Sequence, residues 1–219
     1  MSKIKCVIFD CDGTLVDSER LCCQALANVF TEFGRELPAE EYMKYFQGGK
    51  LADILSHTLD QLELDISLDE LEPKYRAETK RLFELHLQPT QGIETVLDYL
   101  DTQGIAYCVA SNAPTEKIRL SLQLTDLVER FEGKIYSAFD ANSWKPEPDL
   151  IHLAMMNMGF SVNECLYIDD TPKGALAGVN AGVETLLYKT QNLGSEVDDL
   201  DIPVIDEISQ IKTRIEAVA

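Results

Sequence analysis

The sequence predicts an α/β protein, with a Rossmann-like, doubly wound parallel sheet core and an inserted all-helical cap domain. Three observations lead to this. Short apolar runs recur along the chain, separated by segments whose apolar residues have helical spacing. Most of those runs are continuous rather than alternating, which suits strands buried on both faces of a parallel sheet. One long interval after the first run holds no convincing strand, which breaks the alternation and marks an insert.

The elements follow in order. Residues 4–9 read as the first strand, and residues 17–86 as four or so helices. Turn signals inside that interval stand at Phe33-Gly34, at Gln47-Gly48-Gly49 and over 65–67. Pro89 and Gly92 mark the return to the core, followed by a helix over 93–103 and a strand over 105–110. A helix over 115–123 precedes a strand over 134–137, and a helix over 148–158 precedes a strand over 165–168. A helix over 172–180 and a strand over 184–188 complete the regular alternation. Residues 202–205 add a sixth, edge strand, and a terminal helix remains. The chain is thus expected to divide into a core of residues 1–15 and 88–219 and a cap of residues 16–87. The two crossings, near 15–17 and 87–90, are the expected hinges. The polar run 191–201 is expected to form an exposed acidic loop.

With 219 residues, 45% of them hydrophobic and 26% charged, the chain has the composition of a soluble globular protein. A formal charge of −19 argues against nucleic-acid binding, because phosphate backbones attract basic surfaces. No stretch approaches the roughly 20 apolar residues of a membrane helix. The opening Met1-Ser2-Lys3 runs straight into a strand, so no cleaved signal peptide is expected. The six cysteines, Cys6, Cys11, Cys22, Cys23, Cys108 and Cys165, form no C-x-x-C pair. Buried free thiols in a cytoplasmic protein are therefore expected.

Chemistry concentrates where strands end. In open α/β sheets, sites lie beyond the carboxyl ends of the strands. The run Phe9-Asp10-Cys11-Asp12-Gly13-Thr14 places two carboxylates there, with Gly13 allowing the sharp turn that keeps them close. Two acids so near each other repel unless a cation intervenes, which suggests one metal-bound nucleophile and one proton-transfer partner. Ser111-Asn112 ends the second strand, with Pro114 favouring a helix start whose N–H groups suit a phosphoryl oxygen. Lys145 stands in Trp144-Lys145-Pro146-Glu147-Pro148, a turn stiffened by two prolines. Asp169-Asp170 follow another buried strand, and adjacent buried acids need a counter-ion or hydrogen bonds. Hard oxygen ligands of this kind suit Mg²⁺.

Asp10-Cys11-Asp12-Gly13-Thr14-Leu15-Val16-Asp17-Ser18 resembles, without a gap, the first motif of the haloacid dehalogenase superfamily of phosphatases. Ser111, the Lys145-Pro146-Glu147-Pro148 segment and Asp169-Asp170-Thr171-Pro172-Lys173-Gly174 resemble its other three motifs, in the same order. The last carries Thr171 where the family has serine. The resemblance implies that Asp10 attacks phosphorus to form an aspartyl-phosphate, and that Asp12 protonates the leaving alcohol and then activates water. It implies that Lys145 neutralises nucleophile and phosphoryl group, and that Cys11, Ser111 and Asn112 join them in binding substrate. It further implies Mg²⁺ held by Asp10, the Asp12 carbonyl and Asp170, with Asp169 acting directly or through water.

The insert resembles the family's C1-type cap, which closes over small phosphorylated metabolites. Gln47-Gly48-Gly49-Lys50 resembles its substrate loop, with Lys50 as the cation carried toward the substrate. Arg76, Lys80 and Arg81 on an amphipathic helix are expected to be solvated, and His57 and His86 structural. End to end, the spacing resembles bacterial sugar-phosphate phosphatases, the group containing 6-phosphogluconate phosphatase. The expected substrate is a sugar phosphate or sugar-acid phosphate, and the expected assembly a monomer or weak dimer. A dehalogenase or phosphonatase is disfavoured because those branches lack the second acid, which is Asp12 here. A non-enzymatic binding protein is disfavoured by the intact Asp10, Asp12 and Lys145. A β-phosphoglucomutase-like mutase shares every core motif and is the alternative.

Overall fold

The apolar runs become the strands of one parallel sheet, and the residues between them become its covering helices. The computed structural model describes residues 4–36, 38–46, 48–188 and 201–217. Gln47, the first three residues and residues 189–200, which include 191–200 of the expected acidic loop over 191–201, lie outside them. After β1 (Cys6–Phe9) come four helices, α1 (Glu19–Glu32), α2 (Ala39–Met43), α3 (Leu51–Leu62) and α4 (Leu68–His86). The alternation then runs α5 (Ile93–Gln103), β2 (Ala106–Ser111), α6 (Thr115–Leu124), β3 (Ile135–Ser137), α7 (Ala138–Ala141) and α8 (Asp149–Met158). It ends with β4 (Cys165–Asp169), α9 (Pro172–Asn180), β5 (Glu184–Tyr188), β6 (Val204–Ile205) and α10 (Gln210–Ala217).

The strand order is β3-β2-β1-β4-β5-β6, and every neighbouring pair is parallel. β1 therefore sits at the point where the order reverses, with β2 on one side and β4 on the other. Ligands of open sheets bind at that crevice. Alternate residues of β1 feed two cores. Val7 and Phe9 join Leu97, Val109, Ile118 and Ile168 on one face. Cys6 and Ile8 join Cys108, Ile151, Ala154 and Tyr167 on the other. Both faces are covered, which is why these strands read as continuous apolar runs. All six cysteines are buried free thiols.

Helix boundaries have local causes. α4 starts at Ser67, whose hydroxyl accepts from Glu70 N–H, and α9 at Thr171, whose hydroxyl accepts from Gly174 N–H with Pro172 in first position. α5 is bracketed by Gly92 and Gly104, both in the left-handed region. The edge strand is shorter than its expected 202–205: Leu187 N–H donates to Pro203 O, but Pro203 has no N–H to return. The four-residue α7 escaped the sequence reading because one turn shows no periodicity.

Helices α1–α4 bury a core of their own, with Leu26, Phe30, Tyr42, Leu55 and Leu71 inside and Phe30 stacked on Tyr42 at 5.5 Å. The two segments by which the chain leaves and re-enters the α/β part run side by side. Val16 bridges Pro89, and Asp17 N–H donates to Gln88 O at 3.0 Å. The helical insert overhangs the carboxyl edge of the sheet. Among the described residues, no helix is long and apolar enough to cross a membrane.

Candidate active site

Asp10 follows β1 directly, and its N–H donates to Ile168 O of β4 at 2.9 Å, which sets its carboxylate between the two central strands. Gly13 then turns the chain with φ +80°. A Cβ at Gly13 would fall 2.1 Å from Asp170 Oδ2, so the missing side chain is what lets the acid after β4 lie against this loop. Cys11, expected among the substrate-binding residues, turns its side chain into the core instead. Two residues on from Phe9, it keeps to the face that Val7 and Phe9 bury. Cys11 can meet a substrate only through its backbone.

Lys145 arrives from the turn before α8. Its ammonium donates to Asp10 Oδ1 at 2.5 Å and to Asp169 Oδ2 at 2.8 Å. Burial alone would lower the pKa of this lysine, but the two carboxylates overcome that and hold it above the ordinary value. Asp169 is bound from every side: Tyr167 Oη donates to Oδ2 at 2.5 Å, and Thr171 donates to Oδ1 through its N–H at 2.9 Å and its hydroxyl at 2.8 Å. Asp170 accepts from Thr14 Oγ1 at 3.0 Å.

The three acids Asp10, Asp169 and Asp170 are buried, and each offers an oxygen within 4.8 Å of the others. Burial pushes Asp10 up to about 7, against the pull of Lys145 and helped by the Asp169 charge. Burial, then Asp169 and Asp10, push Asp170 well above the usual carboxylate range. Three buried carboxylates facing one lysine form a site short of positive charge. The donor set is all hard oxygen, and a divalent cation such as Mg²⁺ fits it. Asp170 is the freer ligand, because both oxygens of Asp169 are already engaged.

Asp12 leans toward the insert. Ser18 Oγ donates to its Oδ1 at 3.0 Å and Lys117 Nζ to its Oδ2 at 2.7 Å. Sequence reasoning missed Lys117. It lies in the first turn of α6, six residues beyond Ser111, a spacing with no chemical signature. Tyr167, the second partner of Asp169, was missed as well, because a tyrosine within an apolar strand reads as core. Ser111 is buried at the end of β2, and its hydroxyl oxygen accepts from Ala113 N–H at 3.2 Å. Its hydrogen remains to donate to a phosphoryl oxygen.

Asn112 ties the insert to the core. Its Nδ2 donates to Gly49 O at 3.0 Å, and its Oδ1 accepts from Lys145 N–H at 3.0 Å. Gly48 approaches so closely that a Cβ there would meet Thr171 Oγ1 at 2.5 Å. Two residues on, Lys50 sets its ammonium 4.7 Å from the Trp144 ring centroid.

A cavity of about 860 Å³ lies between insert and sheet edge, with Asp10, Asp12, Ser111 and Lys145 on its floor. Lys50 lines it, and so do Arg76 and Lys80 of α4, whose side chains are solvated as expected, 39% and 63% exposed. Those two reach the cavity while paired with Glu72 and Glu84 on their own helix. Arg81 instead pairs with Glu78. His57 packs edge-on against Tyr45 at 6.1 Å.

Comparison with known proteins shows the family. The family model of haloacid dehalogenase-like hydrolases matches residues 7–188. The chain belongs to this family. It is 37% identical over 188 residues to the 6-phosphogluconate phosphatase of Escherichia coli K12, covering 86% of this chain and 84% of that one. It is 25% identical over 183 residues to a phosphorylated carbohydrates phosphatase of Thermotoga maritima, covering 84% of each. Among solved structures, a haloacid dehalogenase-like protein of unknown function from Agrobacterium tumefaciens superposes with a TM-score of 0.84 at 26% identity, over 98% of both chains. A β-phosphoglucomutase-like protein of T. maritima shares the fold, with a TM-score of 0.79 at 21% identity over 99% of this chain and 100% of the other.

Proposed function

We propose that this haloacid dehalogenase-like hydrolase is a Mg²⁺-dependent phosphatase of small phosphorylated sugars or sugar acids, 6-phosphogluconate foremost, working through an aspartyl-phosphate on Asp10. The observation that carries this reading is the setting of Asp10. It is a buried carboxylate at the sheet's crevice, with a lysine ammonium at 2.5 Å and a second acid, Asp12, two residues on. The substrate class rests on the 37% identity to a phosphatase named for 6-phosphogluconate and on the Lys50, Arg76 and Lys80 cations of the cavity.

In the first half-reaction an Asp10 oxygen bonds to phosphorus as the bond to the sugar oxygen breaks, and that oxygen takes the proton of Asp12. In the second, water attacks phosphorus and gives its proton to Asp12, and phosphate leaves as Asp10 is restored. Lys145 offsets charge on Asp10 and on the phosphoryl oxygens. Ser111 and the N-terminal turn of α6 offer further donors to them. Asp10, Asp170 and the Asp12 carbonyl are the residues to hold Mg²⁺, with Asp169 behind them orienting Lys145. The metal supplies charge neutralisation that allows the phosphate anion to approach three acids.

The helices over 16–87 act as the cap that excludes water while this chemistry proceeds. A cytoplasmic location accords with six buried free thiols. The test is phosphate release from a panel of phosphorylated metabolites with Mg²⁺, including 6-phosphogluconate and β-glucose 1-phosphate. Release of phosphate from sugar-acid phosphates supports the reading. Conversion of β-glucose 1-phosphate to its 6-phosphate without release makes the protein a mutase and overturns it.

A further inference from the structure

Asp12 is gripped from two directions. Ser18, the residue just before α1, donates to one carboxylate oxygen at 3.0 Å, and Lys117 on core helix α6 donates to the other at 2.7 Å. These two partners belong to different parts of the molecule. Ser18 stands at the entrance to the helical insert and is fully buried. Lys117 stands on the core, yet its ammonium lies 5.4 Å from the ring centroid of Phe83 on α4. Burial opposes its charge and the Asp12 carboxylate supports it, so its pKa is held above the ordinary value. The lysine thus occupies a slot walled by the insert and closed at its end by the Asp12 carboxylate.

We propose that Lys117 is the positioning residue for Asp12, fixing the plane of that carboxylate when the insert is docked on the core. The inference rests on the reading of Asp12 as the proton-transfer group. A carboxylate has about four lone-pair sites, so two donors fix its rotation and still leave an acceptor position on each oxygen. Both partners of the ion pair line the cavity, with side chains 28% and 27% exposed. That is dry enough for the pair to hold one geometry and open enough for a substrate oxygen to reach Asp12. A surface lysine would do neither. A misplacement of about 1 Å at a reacting group costs on the order of 10²-fold in rate.

The two half-reactions use Asp12 differently, and this gives the test. With an alkyl phosphate, the leaving oxygen needs the Asp12 proton as its bond to phosphorus breaks. With p-nitrophenyl phosphate, the nitrophenolate leaves as a stable anion and needs none. Hydrolysis of the aspartyl-phosphate needs Asp12 in both cases, to take the proton of the attacking water.

Lys117→Met keeps the aliphatic stem against Phe83 and removes the donor. The variant is assayed with Mg²⁺ by stopped flow on p-nitrophenyl phosphate and by phosphate release from a sugar phosphate. The expected result is a burst of one nitrophenolate per active site, followed by turnover on the order of 10²-fold slower than wild type, with KM lowered alongside kcat and kcat/KM nearly unchanged. Lys117→Arg restores part of the turnover, and Ser18→Ala gives a weaker burst of the same kind. Turnover within twofold of wild type, or a raised KM without a burst, overturns the proposal. If Lys117→Met does not fold, the Ser18→Ala and Lys117→Arg results decide it on the same criteria. Asp12→Asn is run alongside: wild-type turnover in that variant refutes the reading of Asp12 itself, whereas its failure beside a normal Lys117→Met refutes the role of Lys117 alone.

Discussion

Gly13→Ala probes the packing of the first loop against Asp170. Gly13 has φ +80°, and an added Cβ would stand 2.1 Å from Asp170 Oδ2 and 2.5 Å from its Cγ. Two costs follow, and a control separates them. A non-glycine residue in the left-handed region costs about 1–2 kcal/mol, which for a chain of this size lowers the Tm by about 2–8 °C. Gly34, with φ +76° and nothing within 4 Å of an added Cβ, incurs that cost alone. Gly34→Ala therefore melts earlier and keeps its activity. Gly13→Ala loses the same stability and also drives the Asp170 carboxylate away by about 1 Å or more, enough for a loss on the order of 10²-fold in kcat. Its Mg²⁺ requirement shifts to higher concentration, and the rise in Tm on adding Mg²⁺ shrinks. Thermal melts with and without Mg²⁺, together with a Mg²⁺ titration of kcat, read all three effects. A Gly13→Ala protein with wild-type kcat and Mg²⁺ response refutes the assignment of Asp170 as a metal ligand.

Lys50→Ala removes the cation that sits over Trp144 in the loop clasped by Asn112. It is expected to raise KM for sugar-acid phosphates several-fold more than for p-nitrophenyl phosphate, and equal changes for both would dismiss a substrate contact. The raised Asp10 and Asp170 predict a pH effect without metal. A carboxylate whose folded pKa lies above its unfolded one binds more protons when folded, so its contribution is present below about 4 and is lost as pH rises through about 7 for Asp10. In chelator the Tm therefore falls from pH 5 to pH 8 more steeply than in Mg²⁺, which neutralises the same oxygens. Parallel curves in the two buffers would contradict the acid-rich metal site.

The parts of this molecule that are legible in the sequence are those fixed by short stretches of chain. The strand ending in Asp10-Cys11-Asp12-Gly13 carries its turn chemistry within four residues, and continuous apolar runs announced strands buried on both faces. The bounds of α5, α9 and β5 were readable because glycines, a proline at the first helical position or a clean apolar run mark them. What was not legible depends on residues far apart in sequence. Lys117 and Asp12 are separated by 105 positions, and nothing near Lys117 distinguishes it from a solvated helix lysine. Arg76 and Lys80 are solvated as the amphipathic pattern predicts, but that pattern says which face is polar, not that the polar face borders a cavity. Tyr167 supports Asp169 from within an apolar strand, where its hydroxyl carries no pattern at all.

The central claim is that Asp10 is the group to which phosphorus is transferred. The direct measurement is Mg²⁺-dependent phosphate release from 6-phosphogluconate by the wild-type protein and by Asp10→Asn. The account predicts release by the wild type that stops in chelator, and none by Asp10→Asn at unchanged circular dichroism and cooperative melting. Release by a folded Asp10→Asn protein at a rate near that of the wild type would contradict it.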